Sequence, residues 1–193
     1  MVIPQLTPEF LSHRQIARAL VVVAQHLGAN PMRIAGLGCG NARIVQAIRD
    51  TKLLYEYTGF DLNEACLETA RRPYPEHKFE SLDLDHLVSG SLGHYDGVVL
   101  DSTLSMVEDP RRLLIRLLER SRAIVVGRVK WGTTTERGEY LWSGMTSPSV
   151  NWQFNKEFFD EVADETGGVS WIFEQSCVVL LAPSASAEGN EIK

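Results

Sequence analysis

Cysteine is scarce in this chain, and the little there is does not cluster. Cys39, Cys66 and Cys177 are odd in number and far apart. That excludes a disulfide framework and a thiolate zinc site, so no metal is expected. A reducing, cytoplasmic setting is the expectation. Long apolar runs are also missing: none approaches the ~20 residues of a membrane-spanning helix. The N-terminus lacks the basic segment and apolar stretch of an export signal. There is no basic excess either. The formal net charge is −6, with Lys and Arg scattered, so a nucleic-acid partner, whose phosphates draw a basic face, is not expected. No internal repeat is present. What remains is a chain of 193 residues, 44% of them apolar, enough to bury the core of one domain. That single domain is expected over 1–183, with a helix at 7–28, a core at 30–130 and an aromatic loop at 130–152. The small, polar tail 184–193 is expected to be disordered.

The chemistry concentrates at Arg33-Ile34-Ala35-Gly36-Leu37-Gly38-Cys39-Gly40-Asn41-Ala42. Ile34 and Ala35 end a strand at about 32–36, and Ala42, Ile44, Val45, Ala47 and Ile48 begin a helical pattern that runs to about Asp50. A strand that turns through glycines into a helix brings bare backbone close to a bound small molecule. The glycines stand at alternate positions, so the pattern is G-x-G-x-G-x-A. It fails the G-x-G-x-x-G spacing of a dinucleotide fingerprint, which disfavours an NAD-dependent oxidoreductase. The next strand, Tyr55–Asp61, ends in an acid 21 positions after Gly40. Nucleotide-binding α/β folds place a carboxylate there to accept from both ribose hydroxyls. The alternative for Asp61, capping the helix that follows, falls to Asn63 instead.

The remaining pattern is a regular alternation of strands and helices. A helix over Glu64 to Arg72 stops at Pro73 and Pro75, and a strand at about 77–82 leads to Asp83, with Asp85 beside it. Either acid could instead cap a turn before Leu87. Tyr95–Asp101 is nearly all apolar between its acids, as in a parallel strand buried on both faces. Asp109 and Pro110 read as cap and first residue of a helix through 113–118, and 123–127 is a fifth strand. Regularity is lost over 130–151, a stretch that holds Trp131, Tyr140, Trp142 and Met145. Its aromatics could line a substrate pocket, with Trp131 and Trp142 as the candidates, dock another protein, or pack as a lid on their own domain. Asn155 caps a helix that ends at Gly167-Gly168, and 169–173 and 177–181 close the sheet. His13 and Arg14 on the first helix could face a substrate, but read first as a solvated pair; His94 and Glu108 are further candidates for a base, and they too read first as solvated.

The order of Gly36-Leu37-Gly38-Cys39-Gly40, Asp61-Leu62, Leu82-Asp83-Leu84 and the Tyr95–Asp101 strand resembles the motifs of the class I S-adenosylmethionine (SAM) dependent methyltransferases. The resemblance covers roughly 30–130. It implies a doubly wound α/β fold: a mostly parallel seven-stranded sheet, helices on both faces, and an antiparallel strand at the C-terminal end. It implies SAM as cofactor, bound by Gly36, Leu37, Gly38, Cys39, Gly40, Asp61, Leu62, Asp83, Leu84 and Asp101. Asp83 would touch the adenine amino group. The activity implied is methyl transfer to a small-molecule acceptor. SAM carries its own leaving group, so the protein has mainly to align the acceptor and exclude water. Where the acceptor must lose a proton, Asp101, at the carboxyl end of its strand, is the candidate base. One departure stands out. The family commonly has an acid where this chain has Gly36, and that acid helps hold the amino end of SAM. Its absence implies weaker binding or compensation by another group. It also keeps open a non-catalytic partner protein: 103–114 and 140–159 loosely resemble the MetW family of methionine biosynthesis, which is linked to homoserine acyltransfer. The sequence leaves the acceptor atom and the oligomeric state open.

Overall fold

The structure is a computed structural model, and it describes residues 8–87, 92–140, 149–174 and 177–183. The elements in chain order are α1 (Pro8–Leu27), β1 (Met32–Leu37), α2 (Arg43–Arg49), β2 (Tyr55–Asp61), α3 (Glu64–Arg71), β3 (Lys78–Ser81) and β4 (Tyr95–Asp101). They continue with α4 (Pro110–Leu118), β5 (Ser121–Gly127), β6 (Glu136–Tyr140), β7 (Ser149–Gln153), α5 (Lys156–Thr166), β8 (Val169–Phe173) and β9 (Cys177–Leu181).

Seven strands form one sheet in the order β3-β2-β1-β4-β5-β9-β8. β1 to β5 pair in parallel, and β9 runs antiparallel to both β5 and β8. This is the expected fold class, with β9 as the antiparallel strand. The inner strands are apolar at successive positions because both faces are covered. Period two then sorts the side chains. Met32, Ile34, Val99, Ala123, Val125 and Val179 join the cluster under α1, α2 and α3. Ala35, Leu37, Val98, Leu100, Ile124, Val126 and Val178 join the one under α4 and α5. α1 lies close against β4 and β5 because the sheet is thin beneath it. A Cβ on Gly127 would overlap Ile16, and one on Gly97 would touch Leu20 at 3.6 Å.

Three of the helix starts follow the capping residues read in the sequence. Asn63 accepts from the Ala65 N–H, Asp109 from Arg112 with Pro110 behind it, and Asn155 from Phe158. The stretch expected to be irregular is not so throughout: β6 and β7 pair as a separate antiparallel ladder, from Glu136 opposite Gln153 to Tyr140 opposite Ser149. Glu136-Arg137-Gly138-Glu139-Tyr140 has no apolar alternation, so side-chain periodicity could not reveal a strand held by its backbone. The ladder is tied to the domain by backbone bonds from Trp152 to Ser105 at 2.8 Å and from Phe154 to Lys130 at 2.9 Å. Trp142 and Met145, like the 184–193 tail, lie outside the described residues. No helix among the described residues is long and apolar enough to cross a membrane.

Candidate functional site

Five parallel strands deliver their carboxyl ends to one edge of the sheet. The chain leaves β1 toward β2 on one side, and β4 lies on its other side. The crevice outside such a reversal point is where open α/β sheets hold ligands. The β1 turn fills it. Gly38, Gly40 and Ala42 take left-handed φ values of 63°, 53° and 57°, so alternate residues fold back, and the Cys39 N–H is tied to the Phe60 carbonyl of β2 at 2.9 Å. Gly38 also lies against the turn after β4. A Cβ there would overlap the Thr103 side chain, whose hydroxyl donates to the Leu37 carbonyl at 3.0 Å.

Asp61 closes the other side of the turn. Its Oδ2 accepts from the Gly40 N–H at 2.8 Å and its Oδ1 from the Asn63 N–H at 2.9 Å. Each oxygen retains a lone pair. Leu62 follows, with 67% of its surface exposed beside the turn. Cys39 sits between Gly40 and the sheet. Burial first, then the Asp61 carboxylate, pushes its thiol up to about 12. A thiol so shifted is not a nucleophile at neutral pH. Iodoacetamide at pH 7.5 is therefore expected to leave Cys39 unmodified in the native protein and to label it in denaturant, read by peptide mass mapping. Native labelling at Cys39 would refute this account of the turn.

Below the turn lies a chamber of about 120 Å³, lined by His13, Gly36 to Gly40, Asn41, Arg43, Ile44, Tyr57, Val99, Asp101 and Arg128. Its floor is formed by Arg128, Asp101 and His13. Arg128 donates from Nε to Asp101 Oδ1 at 2.6 Å and from Nη2 to Oδ2 at 2.9 Å. His13 Nε2 lies 2.8 Å from the same Oδ2. Arg128 reaches back in this way because it takes a left-handed φ of 52° immediately after β5. Burial works against charge on Asp101, but the bonds from His13 and Arg128 outweigh it and hold the carboxyl below the usual carboxylate range. A carboxylate so engaged is a weak base at neutral pH.

Tyr57 forms one wall. Its hydroxyl has no hydrogen-bond partner among the described residues, although the residue is 3% exposed. Burial foremost, then the neighbouring Cys39 and Asp101, pushes the phenol well above its ordinary value, so it stays neutral.

The sequence-derived candidates divide accordingly. Gly36, Leu37, Gly38, Cys39, Gly40 and Asp101 line the chamber, and Asp61 reaches the turn through Gly40. Asp83 stands at the same edge but holds a local turn: its carboxylate accepts from the Asp85 N–H at 3.0 Å and faces His86 Nδ1 at 2.9 Å. Leu84 packs with Leu82 against the α4–α5 cluster. Trp131 is not among the residues lining the chamber; its ring meets Phe159 edge-on, with centroids 5.9 Å apart. Trp152 is fixed likewise, its indole donating to the Val107 carbonyl at 3.0 Å. His94 lies beside Arg120 at the amino end of β4, the edge away from the site.

His13 corrects the reading from sequence. It is 4% exposed, with Nε2 2.8 Å from Asp101 Oδ2, while its neighbour Arg14 is exposed. Tyr57 and Arg128 were not singled out from sequence. The signal for Arg128 was present: a charged residue directly after the last apolar residues of a buried parallel strand.

Residues 35–120 match the family described as "Methyltransferase domain". No curated protein matches the chain. Among solved structures, the N-terminal domain of EvdMO1, crystallised with S-adenosylhomocysteine (SAH) and D-fucose, is 18% identical, with a TM-score of 0.66 over 89% of this chain and 82% of that one. CalS10, a SAM-bound amino pentose methyltransferase from Micromonospora echinaspora, is 13% identical, with a TM-score of 0.66 over 89% and 91%. The magnesium protoporphyrin IX methyltransferase ChlM of Synechocystis PCC 6803, with SAH, is 13% identical, with a TM-score of 0.64 over 95% and 90%. The fold is that of the class I SAM-dependent methyltransferases.

Proposed function

We propose that this protein is a SAM-dependent methyltransferase acting on a small-molecule acceptor, and that 1–183 form its single domain. The observation that carries the reading is the left-handed turn at Gly38, Gly40 and Ala42, braced by Asp61 at the reversal point of the sheet. The residues present suit the cofactor. The turn leaves room for a nucleoside to lie on bare backbone. Asp61 keeps acceptor capacity for the ribose hydroxyls, and exposed Leu62 offers an apolar surface to the base. The chamber is smaller than the ~300–1,000 Å³ of sites that enclose drug-sized ligands, and suits one polar end of the cofactor. The bound cofactor would supply an already activated methyl group. The protein's part is then alignment and exclusion of water.

Asp101 is assigned a holding role in the chamber rather than that of base, because His13 and Arg128 stabilise its charge. Asp83 and Leu84 are retained as adenine-side residues, with the Asp83 turn setting their position. Support for a small acceptor comes from the neighbours, one an amino pentose methyltransferase and another a magnesium protoporphyrin IX methyltransferase. A cytoplasmic location and a role for Trp131 and Trp142 at the acceptor are part of the same proposal. The MetW-type partner reading rests on sequence resemblance alone.

Calorimetric titration with SAM, SAH and NAD tests the reading. SAM and SAH are expected to bind at micromolar concentrations and NAD not to bind. Failure of both adenosyl ligands below millimolar would refute it. Asp61→Ala should weaken SAH binding by about 1–3 kcal/mol, since it removes a charged acceptor from the ribose and the brace from Gly40. Unchanged affinity would remove Asp61 from the site.

A further inference from the structure

The chamber contains a polar group with no task in the fold. Tyr57 lies on the β2 strand opposite Ile34, two residues before Gly59, which pairs with Gly36. Its side chain runs along the sheet under α1 and α2, with its ring near those of His77 and Phe79. The hydroxyl ends directly over Gly36, where a Cβ added to residue 36 would overlap it. A buried hydroxyl with no partner is costly, and its phenylalanine counterpart would fill the same space without that cost. The neighbouring polar groups of the floor are already committed to one another: Asp101 to Arg128 and to His13.

We infer that the Tyr57 hydroxyl is a cofactor-binding group, which hydrogen-bonds the charged amino-acid end of SAM in the chamber. It occupies the volume that a side chain at residue 36 would otherwise fill. The inference rests on the cofactor reading above and deepens it, because Gly36 supplies no side chain of its own to this end of the ligand. Three features agree. The hydroxyl is both donor and acceptor while neutral, so it can meet either an ammonium or a carboxylate group. The chamber walls carry both signs of charge, Asp101 and Arg128, which suits a zwitterion better than a simple ion. Gly36 is then required for the tyrosine rather than for the turn, since its own φ is not left-handed.

The test compares two ligands on two proteins by calorimetry. SAH carries the amino-acid end, and 5′-methylthioadenosine lacks it. Tyr57→Phe is expected to weaken SAH binding by about tenfold to a hundredfold, the range for loss of a hydrogen bond to a charged group. Binding of methylthioadenosine should be unchanged. The ligand-free variant should melt at or above the wild-type midpoint, because the hydroxyl has no partner to lose. Equal SAH affinity in both proteins would overturn the inference and leave the cofactor reading intact. Equal weakening of both ligands, or a lower midpoint for the ligand-free variant, would show a structural role and overturn it as well. A wild-type protein that binds neither ligand would overturn both readings.

Discussion

Gly38→Ala should cost about 2–5 kcal/mol of folding stability and abolish measurable SAH binding. Two independent penalties meet at this position. The residue has φ +63°, where a side chain costs roughly 1–2 kcal/mol. The new methyl group would also overlap the Thr103 side chain, and crowding of packed atoms costs about 1–3 kcal/mol. Thr103 cannot simply rotate away, because its hydroxyl donates to the Leu37 carbonyl and the residue is 5% exposed. Relief has to come from the turn itself, which would lift Gly40 from Asp61. Gly40→Ala is the informative comparison. It has the same left-handed backbone, but a Cβ there meets nothing within 4 Å, so it should lose only the conformational part. Chemical denaturation of the two variants separates the penalties. Equal losses would mean that Thr103 does not constrain the turn.

Asp101→Ala is expected to destabilise the fold by about 2–3 kcal/mol. Removing one partner of a buried ion pair typically costs about 3–5 kcal/mol. The figure is lower here because the Arg128 side chain is 32% exposed and can turn toward water. His13 has no such exit, at 6% side-chain exposure. The effect has a defined pH dependence. The folded carboxyl titrates below the usual range, whereas the unfolded one titrates near 3.9. The stabilisation from ionised Asp101 is therefore complete above about pH 4 and is lost as pH falls through the lower, folded value. Urea midpoints for wild type and variant should differ by a constant amount from pH 7 to about 5 and converge in stronger acid. A gap that widened on acidification would contradict the assigned charge state.

The sheet was legible because β4, β5 and β9 carry nearly continuous apolar runs and each strand–helix junction carries glycine, an acid or a capping residue. Asp109-Pro110 and Asn155 mark two helix starts in the sequence itself. The turn was legible because glycine adopts a left-handed backbone most readily, and Gly38 and Gly40 do so here. The floor of the chamber was not. His13 is 88 positions from Asp101, and helical periodicity states which side of α1 is apolar, not that an imidazole on its margin meets a carboxylate. Tyr57 was hidden for a related reason. It reads as one more alternating residue of β2, and its meaning depends on the bare Cα of Gly36 two positions along the neighbouring strand. β6 escaped notice because a polar ladder leaves no mark in hydrophobic spacing.

Among the described residues α1 lends the chamber one side chain, His13, and that side chain meets Asp101 on the chamber floor. Occupancy by a ligand and seating of the N-terminal segment are thus two readings of one equilibrium. Anything that loosens the helix, including truncation from the amino terminus, would be felt as weakened affinity at a pocket whose other walls stand unchanged.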